Sequence, residues 1–101
     1  MDWEDVLNCL ERIPPGRVAT YGDVARRYCS SARAVGTCLN KIREKFRGRR
    51  VPEDLTHRVV EDDGSLPDRP GGLDQRSKLD REGVCFRDDG TVDLTKCRAN
   101  L

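Results

Sequence analysis

His57 is the single histidine of this 101-residue chain, and it stands between Thr56 and Arg58 in LTHRVVEDDG, residues 55–64. Three kinds of chemistry fit a lone imidazole there: a general base acting on the neighbouring hydroxyl, an oriented hydrogen-bond donor in a binding site, or a polar side chain satisfied inside a core. The residue types alone leave all three open. Cys9, Cys29, Cys38, Cys85 and Cys97 are the other groups with nucleophilic or ligating chemistry. None forms a Cys-x-x-Cys pair, and one histidine does not complete a zinc spacing, so neither metal nor cofactor is expected and the thiols read as reduced, half-buried apolar groups.

A net charge of +1 conceals a polarised chain: residues 12–50 carry eleven Lys or Arg against Asp23 and Glu44, a balance of +9, whereas residues 1–11 and 51–101 each total −4. Polyanions respond to local fields rather than to net charge, so the basic segment brings in nucleic acid as a partner. On charge alone, KIREKFRGRR (41–50) is equally a solvated loop or helix end. With 37% charged and 36% hydrophobic residues, the core is expected to be thin, within one small domain covering 1–101. No run approaches the ~18 apolar residues of a membrane span, and the start MDWEDVLNCLER is acidic where a signal peptide is basic. The expectation is a soluble, intracellular protein.

Elements must hold His57 in place. Trp3, Val6, Leu7 and Leu10 fall on one face of a helix that starts after Asp2 and is stopped by IPPG (13–16). RVAT (17–20) is a brief extended link, and Thr20 with Asp23 makes a capping box that opens a second helix over about Tyr21 to Tyr28. CSS (29–31) breaks it, and Ser31 caps a third helix, SARAVGTCLNKI, with Ala34, Val35, Cys38, Leu39 and Ile42 on its apolar face. Such a pair reads as helix-turn-helix, with Arg33 in the first turn of the second helix, where anions are favoured and an arginine can enter a groove. Further on, HRVV (57–60) predicts a short strand ending at EDDG. GGLDQRSKLDREG (71–83) predicts a helix carrying Leu73 and Leu79, and VCFRDDGTVDL (84–94) a hairpin around DDG.

In that order, IPPGRVATYGDVA, ARAVG, HRVVEDDGSL, GGL and EGV resemble the C-terminal DNA-binding domain of the O6-alkylguanine-DNA alkyltransferases, over residues 3 to about 84. The family's active-site motif is Pro-Cys-His-Arg, whose cysteine takes the alkyl group; here the four positions read Leu55, Thr56, His57, Arg58. A thiol with a pKa of about 8.5 can be made a thiolate by a neighbouring His, whereas a threonine hydroxyl is far more basic and a poorer nucleophile. Alkyl transfer at Thr56 is therefore not expected. With the tail EGVCFRDDGTVDL, the absent nucleophile makes the chain similar to the alkyltransferase-like proteins. That group binds O6-alkylguanine without repairing it, is held to flag it for nucleotide excision repair, and commonly has Trp at this position.

The resemblance implies a mainly α fold with short β elements, of helix-turn-helix and winged-helix character, with a C-terminal β-hairpin wing. It implies a monomer that binds double-stranded DNA through the minor groove and flips the damaged nucleotide. Tyr21 is assigned to the phosphate of that nucleotide and Arg33 to the finger that fills the vacated stack, with Ala34 and Gly36 beside it. Thr56, His57, Arg58, Val59, Arg69, Pro70 and Glu82 are assigned to the lesion pocket. Without the resemblance, Tyr21 is an aromatic in the first turn of a helix, and Arg33 and Arg69 are solvated charges. Gly36 inside a helix costs about 1 kcal/mol against Ala, which close approach of DNA or of a packed helix would explain.

Two positions depart from the enzymes. Their hinge asparagine falls on Ile42, with Asn40 nearby, and the basic loop 43–55 is longer, suited to gripping phosphates. A DNA partner places the chain in the cytoplasm with the nucleoid in a prokaryote and in the nucleus in a eukaryote. Two further readings stay open: a helix-turn-helix transcriptional regulator, and an alkyl-accepting enzyme that uses Cys38 or Cys85.

Overall fold

Asp2 and Asp5 exchange backbone-to-carboxylate hydrogen bonds at 3.1 and 3.0 Å, a reciprocal cap that opens α1, Trp3–Leu10. The computed structural model describes residues 2–45, 56–66 and 72–100, the side chains of 72–74 excepted. α1 buries Val6, Cys9 and Leu10, with Trp3 and Leu7 at the margin. Pro14 and Pro15 prevent its continuation. Gly16 then turns the chain at φ +89°, and the Glu82 carbonyl lies 3.0 Å from where a Cβ would stand, so a side chain there would be both strained and crowded.

The chain next forms β1, Ala19–Thr20. Thr20 and Asp23 make the predicted box at 3.1 and 3.0 Å, opening α2, Tyr21–Arg27. The Ser31 hydroxyl accepts the Ala34 N–H at 3.2 Å at the start of α3, Ala32–Lys45, which continues past the predicted end at Ile42. Val35, Leu39 and Ile42 are fully buried, and the Lys45 ammonium lies 5.6 Å from the centre of the Trp3 ring. α1, α2 and α3 thus enclose one core, which also takes in Ala19 and Val59.

HRVV is only half a strand. Val59–Val60 form β2, parallel to β1 with Ala19 opposite Val59 and Thr20 opposite Val60. Thr56–Arg58 instead coil into one 3₁₀ turn. The reason is in α4, Gly72–Arg81: the buried Gln75 amide donates to the carbonyls of His57 and Val59 at 3.0 and 3.1 Å, so the His57 acceptor serves a side chain rather than a sheet ladder. Leu79 of α4 packs with Val18, Val60, Val84, Val92 and Cys97 in a second core.

The reversal at DDG is present, with Arg87 N–H to Thr91 carbonyl at 2.7 Å and Asp93 N–H to Cys85 carbonyl at 2.9 Å, but its ladder is a single antiparallel bridge between Phe86 and Val92. It ends there because Asp93 caps a short helix, α5, Leu94–Cys97, absent from the sequence expectation. After α5 the chain lies along Val18, whose N–H and carbonyl bond Cys97 and Ala99 at 2.7 Å each. Among the described residues no helix is long and apolar enough to cross a membrane.

Candidate functional site

Glu82, just beyond α4, gathers the site. Its Oε1 lies 3.0 Å from His57 Nε2, and Arg58 Nε bonds both carboxylate oxygens at 3.2 and 3.1 Å. Arg58 Nη2 also donates to Oε2, and Nη1 donates to the Ile13 carbonyl at 2.8 Å. The side chains of His57, Arg58 and Glu82 are only 12, 11 and 16% exposed, so these are charge-assisted bonds largely out of water. EGV thereby acquires three jobs. Glu82 clamps the turn, Gly83 ends α4 at φ +85°, and Val84 enters the second core while its N–H bonds the Leu79 carbonyl at 3.1 Å.

Because Nε2 faces a carboxylate, it carries the proton, and the buried Nδ1 has no hydrogen-bond partner among the described residues. Burial pushes the imidazole below its usual 6.5, with the Glu82 charge opposing this without cancelling it. Burial pulls the Glu82 carboxyl the other way, but hydrogen bonds from Arg58 and the charge beside it prevail and hold it below 4.5. Both groups therefore bind fewer protons folded than unfolded, and stability falls on acidification. The loss is expected to begin as the pH drops through 6.5, from His57, and to steepen below 4.5, from Glu82. Urea unfolding across that range checks this, and His57→Gln should remove the upper component alone.

Thr56 is 4% exposed, and its Oγ1 accepts a hydrogen bond from Arg43 Nε at 3.4 Å. Arg43 is in the last turn of α3, where its Nη1 donates to Asn40 Oδ1 at 2.6 Å. Neither Arg43 nor Gln75 was singled out from the sequence. Ile42, the position matched to the hinge asparagine, is fully buried. Val59 is fully buried too, so it supports the turn from the core instead of presenting a surface. Arg69, Pro70 and residues 46–55 of the basic loop lie outside the described residues.

The first turns of α3 hold the other predicted group. Arg33 is exposed, Ala34 and Gly36 are partly so, and a Cβ built on Gly36 would meet only the Tyr21 ring, at 4.0 Å. Packing of α2 against α3 thus brings Tyr21 and Gly36 together, and one helix joins this surface to Thr56. Ten residues separate Arg33 from Arg43, about 15 Å along the axis.

Residues 3–84 match the family described as 6-O-methylguanine DNA methyltransferase, DNA binding domain. The chain belongs to this family. Within it, a DNA base-flipping protein of Vibrio parahaemolyticus is 33% identical over 90% of this chain and 88% of its own length. The Escherichia coli DNA base-flipping protein is 40% identical, over 94% of this chain and 71% of that one. S. pombe Atl1, solved in complex with damaged DNA containing O6-carboxymethylguanine, superposes with a TM-score of 0.76 at 25% identity, covering 98% of this chain and 94% of its own. Mycobacterium tuberculosis OGT, in complex with DNA, gives 0.63 at 28% identity over 79% of this chain but 47% of that one. The family match and the Atl1 fold make this an alkyltransferase-like protein, as the motifs predict.

Proposed function

We propose that the chain is a damage sensor: it binds O6-alkylguanine in duplex DNA from the minor groove, rotates the nucleotide out of the stack, and holds it without taking the alkyl group. The observation that carries this reading is Thr56, a buried hydroxyl beside an intact His57–Glu82 pair, at the position that the resemblance gives to the nucleophilic cysteine. Relatives named for base flipping, and Atl1 bound to damaged DNA, support the DNA and flipping parts. Arg33 fills the gap in the stack, Tyr21 meets the rotated phosphate, and His57 orients the pocket through Glu82. Having no means of removing the adduct, the protein marks it for nucleotide excision repair. It binds as a monomer, wherever the cell keeps its DNA.

A transcriptional regulator reads base edges in the major groove and has no use for a lesion pocket beside Thr56 and His57. An alkyl acceptor needs an accessible thiolate, and the two candidate thiols are both raised: Cys38 by burial and then Asp2, Cys85 by its hydrogen bond with Cys97. Fluorescence anisotropy of matched duplexes with and without one O6-methylguanine tests the proposal. A lesion preference of about tenfold or more, about 1.4 kcal/mol, with unchanged intact-protein mass, is expected. A mass gain of one alkyl group would sink the non-catalytic claim.

Gly36 supplies a second test. Since a Cβ there meets only ordinary contact within the chain, Gly36→Ala should stabilise α3 by up to about 1 kcal/mol. The same methyl group would stand between the helix and the DNA, so duplex affinity should fall while the melting temperature rises. A parallel fall in both would mean that the glycine serves folding instead.

A further inference from the structure

The geometry points to Arg43 as a specificity residue: beside Thr56 it gives the pocket a cationic, donor-bearing wall that favours O6 substituents ending in a carboxylate over plain alkyl groups. This rests on the reading above, in which the O6 substituent faces residue 56. Arg43 Nε is directed at Thr56 Oγ1, 3.4 Å away. In a guanidinium Nε and Nη2 share one edge, the edge that grips a carboxylate with two parallel bonds. That edge is therefore turned toward the side of the pocket where the adduct would end.

Two further features support the assignment. The guanidinium is oriented before any ligand arrives, because Nη1 is held by Asn40 Oδ1 at 2.6 Å and Thr56 is fixed in the 3₁₀ turn. The two groups that orient it among the described residues, Thr56 and Asn40, are both neutral. A methyl group gains nothing from a cation and strips part of its hydration, whereas a carboxylate forms a charge-assisted pair in a half-buried setting. Arg43 thus selects by chemistry at the far end of the adduct, and Thr56 leaves the end polar.

The test compares guanine, O6-methylguanine and O6-carboxymethylguanine in one duplex sequence, bound by the wild type, Arg43→Gln, Arg43→Lys and, as a control away from the site, Arg12→Gln. The wild type should bind the carboxymethyl lesion about tenfold more tightly than the methyl lesion, about 1.4 kcal/mol. Arg43→Gln should bring that ratio to about one, with methylguanine still preferred over guanine. Arg43→Lys and Arg12→Gln should retain a ratio above one. A wild-type ratio near one with methylguanine still preferred over guanine, or an unchanged ratio in Arg43→Gln, overturns the role of Arg43 and leaves the sensor reading intact. Failure of the wild type to prefer either lesion over guanine overturns the sensor reading itself.

Discussion

Glu82→Ala is expected to destabilise the chain by about 3–5 kcal/mol, a large part of the ~5–15 kcal/mol that holds an ordinary domain together. Truncation removes every carboxylate bond to Arg58 and the acceptor of His57 Nε2. The guanidinium, 11% exposed, is left with the Ile13 carbonyl as its remaining described partner. The loss is thus that of an uncompensated buried charge, much larger than the net worth of the pair. A fall in melting temperature on the order of 15 °C or more should be seen by circular dichroism. Glu82→Gln should lose less, because an amide oxygen still accepts.

Replacing both partners separates charge from packing. In Arg58→Met/Glu82→Met no charge remains buried, so most of the stability should return, less about 1–3 kcal/mol for the Ile13 carbonyl left without its donor. Lesion preference should not return with it, because His57 still has no carboxylate to orient it. If Glu82→Ala instead lost about 1 kcal/mol or less, the trio would behave as a solvated surface pair. The clamp would then hold nothing that folding needs.

The helix starts were legible because capping is local: Asp2, Thr20 and Ser31 each accept from an N–H three residues on. The turn at Thr56–Arg58 was not, since β-branched residues in HRVV signal a strand while the bend depends on Gln75, 18 residues beyond His57. His57, Arg58 and Glu82 could be named from the motifs, but their mutual bonds depend on how α4 ends. Arg43 was hidden in the charge run KIREKFRGRR. Only the continuation of α3 beyond Ile42 carries it to Thr56, and no periodicity records a contact between a helix end and a turn 13 residues on. The wing is present but short: DDG specifies the reversal, and Asp93, which caps α5, limits how far the arms can pair.

Arg33→Ala is expected to weaken binding to an O6-methylguanine duplex about ten- to a hundredfold while leaving the fold intact. The side chain is exposed, and the Arg33 hydrogen bond among the described residues, Thr37 Oγ1 to its carbonyl at 3.2 Å, belongs to the backbone and survives truncation. On DNA, rotating a nucleotide out costs a few kcal/mol of stacking, and a planar cation placed between neighbouring bases restores about 1–3 kcal/mol of it. Arg33→Lys keeps the charge without the plane and should fall between wild type and Arg33→Ala. Salt dependence distinguishes a stacking finger from a phosphate contact. A finger weakens lesion binding far more than binding to the undamaged duplex, with little change in salt slope. A phosphate contact weakens both alike and lowers the slope by about one. The second pattern would remove Arg33 from the flipping step and leave that work to Tyr21 and the pocket.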